Sequence, residues 1–196
     1  MLKRGFDIVF SLLFLSFTLP FWIIIALLIK ATSPGPVFYI QKRVGLKGVQ
    51  FSLFKFRTMG VNTDQQGLLT TKPNETRITS FGRILRKFKI DEWPQFINVL
   101  IGSMSVVGPR PEVPYFVNLY TPDQLKVLQL RPGITDYASI KYFKENELLA
   151  SSDAPEQTYI HVILPDKLNL NLEYLKNQSF LGDIEIIFQT FLKILK

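Results

Sequence analysis

The chain has 196 residues, 47% of them hydrophobic, and a formal net charge of +7 at pH 7. Lacking cysteine, it can build neither disulfides nor thiolate metal sites, and its single histidine, His161, reads as structural or solvated. The length gives one domain plus a membrane element, and the basic charge leaves anionic lipid, a phosphorylated substrate or nucleic acid as the partner.

The first element is apolar. Residues Ile8–Ile29 run for 22 residues without a charge, between Asp7 and Lys30. About 20 apolar residues let a helix cross a bilayer core. Two details argue against a plain crossing. Pro20 removes one backbone hydrogen bond and clashes with the preceding turn. It divides the run into arms of 12 and 10 residues, roughly 18 and 15 Å at about 1.5 Å per residue. Basic residues also flank both ends: Lys3 and Arg4 before, Lys30, Lys42 and Arg43 after. Positive flanks favour the cytoplasmic side. A re-entrant helix broken at Pro20 keeps both flanks there. A bent span is the second reading. A signal peptide is the third, opposed by the length of the run and the lack of a small-x-small cleavage site. Ser16 and Thr18 lie within a turn of Pro20, placed to serve the freed carbonyls. The chain so divides into residues 1–30 in the membrane and 31–196 outside it.

Ser33-Pro34-Gly35-Pro36 ends the helix. Val37–Arg43 and Val49–Met59 then read as a β-hairpin. Phe51, Leu53 and Lys55 fall on one face, Ser52, Phe54 and Phe56 on the other. Lys55 and Arg57 alternate, so both cations are expected on one face. Gly60–Thr76 is polar and aperiodic, a mobile loop. Thr79–Ile90 combines Arg83, Arg86, Lys87 and Lys89 with Phe81, Ile84, Leu85 and Phe88 at helical spacing. It is either a basic amphipathic helix against anionic headgroups or a core helix with a solvated basic face.

Asp91-Glu92 precedes Trp93-Pro94, and Pro94 is placed as a first-turn helix proline. Two acids there are ordinary caps. They also make a carboxylate pair able to hold a divalent cation or to attack phosphorus. In Val107-Gly108-Pro109-Arg110-Pro111, two prolines fix the approach of a guanidinium suited to phosphate. Thr121–Gln124 opens a further helix with a capping box, ended by Arg131-Pro132-Gly133. Lys141–Asp166 is irregular with short helical stretches, and a helix runs from Leu168 toward Asn177. From Asp183, the residues Ile184, Ile187, Phe188, Phe191, Leu192 and Leu195 form one apolar stripe, with Asp183, Glu185 and Lys193 off it. That helix either packs on the core or lies at an interface.

Lys55-Phe56-Arg57-Thr58-Met59, Asp91-Glu92-Trp93-Pro94-Gln95, Val107-Gly108-Pro109-Arg110-Pro111 and Arg131-Pro132-Gly133-Ile134-Thr135 stand in this order behind a proline-broken apolar helix. The set resembles the bacterial sugar transferases, the small monotopic phosphoglycosyl transferases, over nearly the whole chain. The resemblance implies an α+β, mainly helical fold with a re-entrant membrane helix, a small β-hairpin and interfacial helices. It implies transfer of a sugar-1-phosphate from a UDP-sugar to a polyprenol phosphate, typically undecaprenyl phosphate, with release of UMP. This would be the first membrane step of a glycan pathway, at the cytoplasmic face of the bacterial inner membrane. By resemblance Asp91 is the nucleophile, Glu92 helps bind Mg²⁺, and Pro20 breaks the membrane helix. Arg86 and Arg110 contact phosphate or organise the site, with Lys55, Arg57 and Arg131 as weaker candidates. A homodimer is left open.

The chain departs from the family pattern at Leu19, where Ser is common before the proline. It departs again at Asp136-Tyr137-Ala138-Ser139, where many members have Gly-Trp-Ala-Gln; at Phe143, near a common arginine; and at Asn171, in place of Asp. A non-enzymatic membrane-surface scaffold or lipid-binding module is the alternative. Nucleic acid is not expected, since the cations cluster near the membrane run and no recognised motif is present.

Overall fold

The computed structural model describes residues 2–61 and 76–195. Most of the expected loop after Gly60 lies outside the described residues.

Helix α1 spans Leu2–Thr32 and holds Pro20 inside it. Helical structure is kept on both sides of the proline, whose effect is a lost hydrogen bond rather than a gap. Thr18 does not serve the carbonyl freed by the proline. Its Oγ1 donates to Phe14 O at 2.9 Å and accepts from Trp22 Nε1 at 3.2 Å, and Ser16 is exposed. The buried residues of α1 are Asp7, Ser11, Thr18, Ile25 and Ile29. They recur at intervals of four or seven, one face of a helix. The opposite face is an unbroken apolar surface, including Leu13, Phe17, Ile23 and Leu27, each about two-thirds exposed or more. Among the described residues α1 is the one helix long and apolar enough to cross a membrane.

Strands β1 (Phe38–Val44) and β2 (Gln50–Phe56) form the antiparallel hairpin, with Phe38 opposite Phe56 and Val44 opposite Gln50. Each face of β2 sends a side chain into a core. Leu53 enters a core with Phe96, Val99, Met104 and Val106, while Phe56 packs with Ile25, Ile29 and Leu85. Helix α2 (Ser80–Lys87) starts at the N-cap Thr79, whose Oγ1 accepts from Gly82 N. A Cβ on Gly82 would lie 2.2 Å from Thr58 O, so only glycine lets α2 approach the end of the hairpin this closely. The turn Ile90–Glu92 and helix α3 (Gln95–Ile101) follow.

Strand β3 (Ser105–Val107) pairs in parallel with β4 (Gly133–Thr135). This pairing unites two motifs far apart in sequence. Gly108 and Gly133 meet backbone to backbone, and a Cβ on Gly133 would lie 2.1 Å from Gly108 N. Between the strands, α4 covers Pro114–Val117 and a 3₁₀ turn covers Gln124–Gln129. The capping box is present there: Thr121 N donates to Gln124 Oε1 at 2.9 Å. Helices α5 (Tyr137–Lys141), α6 (Glu145–Ala150) and α7 (Pro155–Thr158) lead through a π-helical turn at Tyr159–Ile163 into α8 (Leu164–Lys176). The last helix, α9, spans Phe180–Ile194.

Both ends of α1 are tied to this one body. Near the start, Arg4 donates to Leu100 O at 2.9 Å and to Val99 O at 2.6 Å, closing the C-terminal end of α3. Asp7 accepts from Ser105 Oγ at 2.8 Å and from Val106 N at 3.0 Å. Phe14 stacks on Phe96 with centroids 4.0 Å apart. Toward the other end, Trp22 meets Phe56 edge-on at 5.1 Å, and Ile25 and Ile29 are buried with Phe56 and Leu85.

Two surface helices differ from a simple amphipathic reading. In α9 the core side is held by Ile186, while Phe188, Phe191 and Leu195 are more than half exposed. Asp183 is not on the polar outside. It is 2% exposed and bonded to Tyr174 Oη and Lys3 Nζ, each at 2.5 Å. The apolar stripe therefore faces outward, as in an interfacial helix. In α2, Leu85 enters the core but Ile84 and Phe88 are exposed on a helix that also carries Arg83 and Lys87.

Candidate active site

Lys89 adopts a left-handed conformation, φ 56°, at the end of α2. Non-glycine residues reach that region rarely. The reversal turns Asp91 and Glu92 away from α2 and into a cavity of about 630 Å³. Neither acid caps α3, whose N-cap is Pro94 without a side-chain bond. The capping reading therefore fails, and the pair is left for other work.

Glu92 is fully engaged. Arg110 grips it with both guanidinium nitrogens, Nη1 to Oε2 at 3.1 Å and Nη2 to Oε1, while Lys55 Nζ reaches Oε1 at 3.1 Å. Burial opposes charge on Glu92, but Arg110 and Lys55 outweigh it and hold the carboxyl well below its usual range. The same contact, against burial, raises the already high pKa of Arg110. Burial pushes Lys55 down from the usual lysine value, with Glu92 resisting.

Asp91 is the opposite case. It is 7% exposed, and its Oδ1 is buried without a hydrogen-bond partner among the described residues. Desolvation and then the adjacent Glu92 raise its pKa, against the pull of Lys55, Arg86 and Lys89. A desolvated carboxylate facing cations is a stronger nucleophile than a hydrated one.

Arg86 Nε donates to Thr58 Oγ1 at 2.8 Å and its side chain lines the cavity. Arg110 is fixed from behind, because its backbone N–H donates to Asp136 Oδ2 at 3.1 Å. Asp136 also caps α5 through Ser139 N at 2.6 Å. The departure at position 136 thus has a positioning role. Of two further sequence candidates, Arg57 lines the cavity edge and Arg131 does not line it. Arg57 turns away from Lys55, since the strand ends at Phe56. Its guanidinium binds Ser33 O at 2.8 Å, Ser33 Oγ at 3.1 Å and Pro34 O, clasping the exit of α1. Arg131 supports the β3–β4 crossing and does not line the cavity. His161 is exposed and bonded to Gln157.

Four residues that the sequence did not single out, Glu112, Glu145, Tyr159 and Lys167, also line the cavity. Glu112 accepts from Tyr159 Oη at 2.5 Å and pairs with Arg43 at 3.5 Å. Lys167 lies 2.5 Å from Glu145 and 4.0 Å from Glu112. A third side of the cavity is apolar, with Phe10 and Phe14 from α1 and Ile187 and Phe191 from α9.

Among the described residues no three His, Asp or Glu side chains gather to hold a metal ion. Mg²⁺ commonly takes only one or two protein carboxylates plus substrate oxygens. Asp91 Oδ1 has no competing partner, whereas at Glu92 an ion would share oxygens with Arg110 and Lys55. The pair fits such an ion to that extent.

The chain thus joins a long apolar helix and outward apolar faces to a cation-lined carboxylate cavity. The bacterial sugar transferase family profile matches residues 1–196. The chain is 36% identical over 197 residues to the UDP-N-acetylgalactosamine-undecaprenyl-phosphate N-acetylgalactosaminephosphotransferase of Aeromonas hydrophila. It is 37% identical over 194 residues to the uncharacterized sugar transferase EpsL of Bacillus subtilis. It is 35% identical over 196 residues to the UDP-glucose:undecaprenyl-phosphate glucose-1-phosphate transferase of Escherichia coli. These matches cover 99%, 99% and 98% of this chain, but 44%, 87% and 40% of the relatives. The chain belongs to the bacterial sugar transferase family.

Proposed function

We propose that the chain is a phosphoglycosyl transferase that moves a sugar-1-phosphate from a UDP-sugar to undecaprenyl phosphate or a similar polyprenol phosphate. The observation that carries this reading is the contrast within one turn: Glu92 saturated by Arg110 and Lys55, Asp91 buried with an unpartnered oxygen. Asp91 attacks the sugar-bearing phosphorus of the donor. The Asp91 O–P bond forms as the diphosphate bridge breaks, and UMP leaves with the bridging oxygen and its electron pair. An oxygen of the lipid phosphate then attacks the same phosphorus and displaces Asp91. Neither step needs a base, because each nucleophile is already an anion. Arg110, Lys55 and Arg86 stabilise negative charge on the phosphoryl oxygens. Mg²⁺, held by Asp91 or Glu92 with the diphosphate, would supply further charge neutralisation.

The same reading makes α1 re-entrant, at the cytoplasmic face of the inner membrane. Its support is that Arg4 and Asp7 near one end, and Ile25 and Ile29 near the other, bind a single folded body. One body cannot lie on both sides of a bilayer. The exposed apolar faces of α9 and α2 extend the lipid-facing surface and bring the cavity to headgroup depth. The full chain in nanodiscs, given UDP-sugars and undecaprenyl phosphate with Mg²⁺, is expected to release UMP. UMP release from no donor would overturn the proposal.

A further inference from the structure

The cavity has three chemically different sides. Around Asp91 it is basic, which suits phosphate. Along α1 and α9 it is apolar, which suits a hydrocarbon chain. The third side carries both signs of charge: Glu112, Glu145 and Lys167, with the Tyr159 hydroxyl. Hexose hydroxyls both donate and accept, so a subsite for them needs carboxylates and a cation on one wall. This side offers both, apart from the Asp91–Glu92 pair that the transfer itself uses.

We infer that the Glu145–Lys167–Glu112–Tyr159 cluster is the subsite for the donor's glycosyl group and selects which hexose is accepted. This rests on the proposed transfer reaction. Five observations carry it. The cluster lines the same cavity as Asp91. Its position adjoins the carboxylate turn, because Glu112 stands two residues beyond Arg110, whose guanidinium grips Glu92. Glu145 keeps 24% of its side-chain surface and forms the accessible edge, with Glu112 at 11% and the buried Lys167 and Tyr159 behind it. Lys167 is committed unevenly as well. Its ammonium has three donors and lies 2.5 Å from Glu145, while Glu112 at 4.0 Å is beyond hydrogen-bond reach. Tyr159 begins a π-helical turn, an irregularity often found at functional sites.

A polar wall at this place has a function in a two-step transfer. After UMP leaves, the sugar is held only through its phosphate bond to Asp91. A subsite that binds its hydroxyls keeps the phosphorus oriented for the second attack. The wall also neighbours Tyr142 and Phe143, in the stretch where the chain leaves the family pattern. Residues that differ between members are suited to telling hexoses apart.

The test uses the full chain in nanodiscs with Asp91→Asn to stop turnover. Calorimetry compares UDP with UDP-glucose, UDP-galactose, UDP-N-acetylglucosamine and UDP-N-acetylgalactosamine. At least one UDP-sugar is expected to bind about tenfold tighter than UDP, the scale of one hydrogen bond to a charged group. Glu145→Gln, close to the original in size, is expected to abolish that gain and leave UDP affinity unchanged. Lys167→Met should do the same. An unchanged gain, an equal loss for UDP, or no gain in the parent overturns the inference. UMP release by the unaltered chain, followed in parallel, tests the transfer reading separately. If it persists while the gain is absent or unaffected, only the subsite fails. If it is absent with all four donors, both fail.

Discussion

Two of the buried aspartates, Asp7 and Asp91, are opposites. Asp7, on α1, is 2% exposed and uses both oxygens, accepting from Ser105 Oγ and Val106 N. Asp91 is 7% exposed and leaves Oδ1 without a described partner. A satisfied buried carboxylate contributes to the fold, because its desolvation is offset by the bonds it accepts. An unsatisfied one costs stability and persists where function requires it. The two sites therefore assign anchoring to Asp7 and chemistry to Asp91.

The largest expected effect would break or confirm that division at once. Asp91→Asn should lower UMP release by on the order of 10⁴-fold, as loss of a nucleophile does elsewhere. Its melting temperature should hold or rise. The sign follows from the raised pKa of Asp91: ionising it in the folded state costs stability above the usual carboxylate range, and Asn removes that cost. A lowered melting temperature with activity retained would reverse the roles. Asp7→Ala is the complementary experiment. It should destabilise the protein by roughly 2–4 kcal/mol, leaving Ser105 Oγ and the Val106 N–H unpaired. Activity per folded molecule should stay within about threefold, since Asp7 lies outside the cavity lining.

A pH profile sharpens the comparison within the active turn. Turnover needs Asp91 ionised, so kcat/KM should fall on the acid side at a pH above the ordinary carboxylate range. Glu92 acts in the other direction. Its lowered pKa means that its stabilisation is present above the unfolded value and is lost only as pH falls through the folded one. Activity should therefore disappear at a higher pH than stability does. Coincident losses would show unfolding rather than titration of Asp91. The smallest perturbation concerns topology. Single cysteines at the exposed positions Leu2 and Lys30 should label from the same, cytoplasmic side, with little change in activity. Labelling from opposite sides would make α1 a span and contradict the fastening of both its ends to one body.

Local patterns carried much of this from the sequence. The hairpin followed from alternation, and Asp91, Glu92, Arg110, Lys55 and Arg86 do line one cavity. Side chains whose roles depend on distant partners were not legible. Arg57 alternates with Lys55, yet the strand ends between them and Arg57 serves the exit of α1. Strands β3 and β4, three residues each, form only because Gly108 and Gly133 let two remote segments touch. In α1 a signal was present but inverted. In a helix apolar all round, Asp7, Ser11 and Thr18 mark the buried face. Asp183 misled for the same reason, since Lys3 and Tyr174, both remote, take it inside. Glu112 closes the Arg110 motif, but its partners Arg43, Tyr159 and Lys167 converge only in the fold.

The most direct test of Asp91 as a covalent nucleophile is the intact mass of the full chain in nanodiscs after brief exposure to UDP-sugar and Mg²⁺ without acceptor. The account predicts a gain equal to one sugar-1-phosphate, located to Asp91, absent in Asp91→Asn and removed by adding undecaprenyl phosphate. UMP release with no adduct at any time, or an adduct located to another residue, would contradict it.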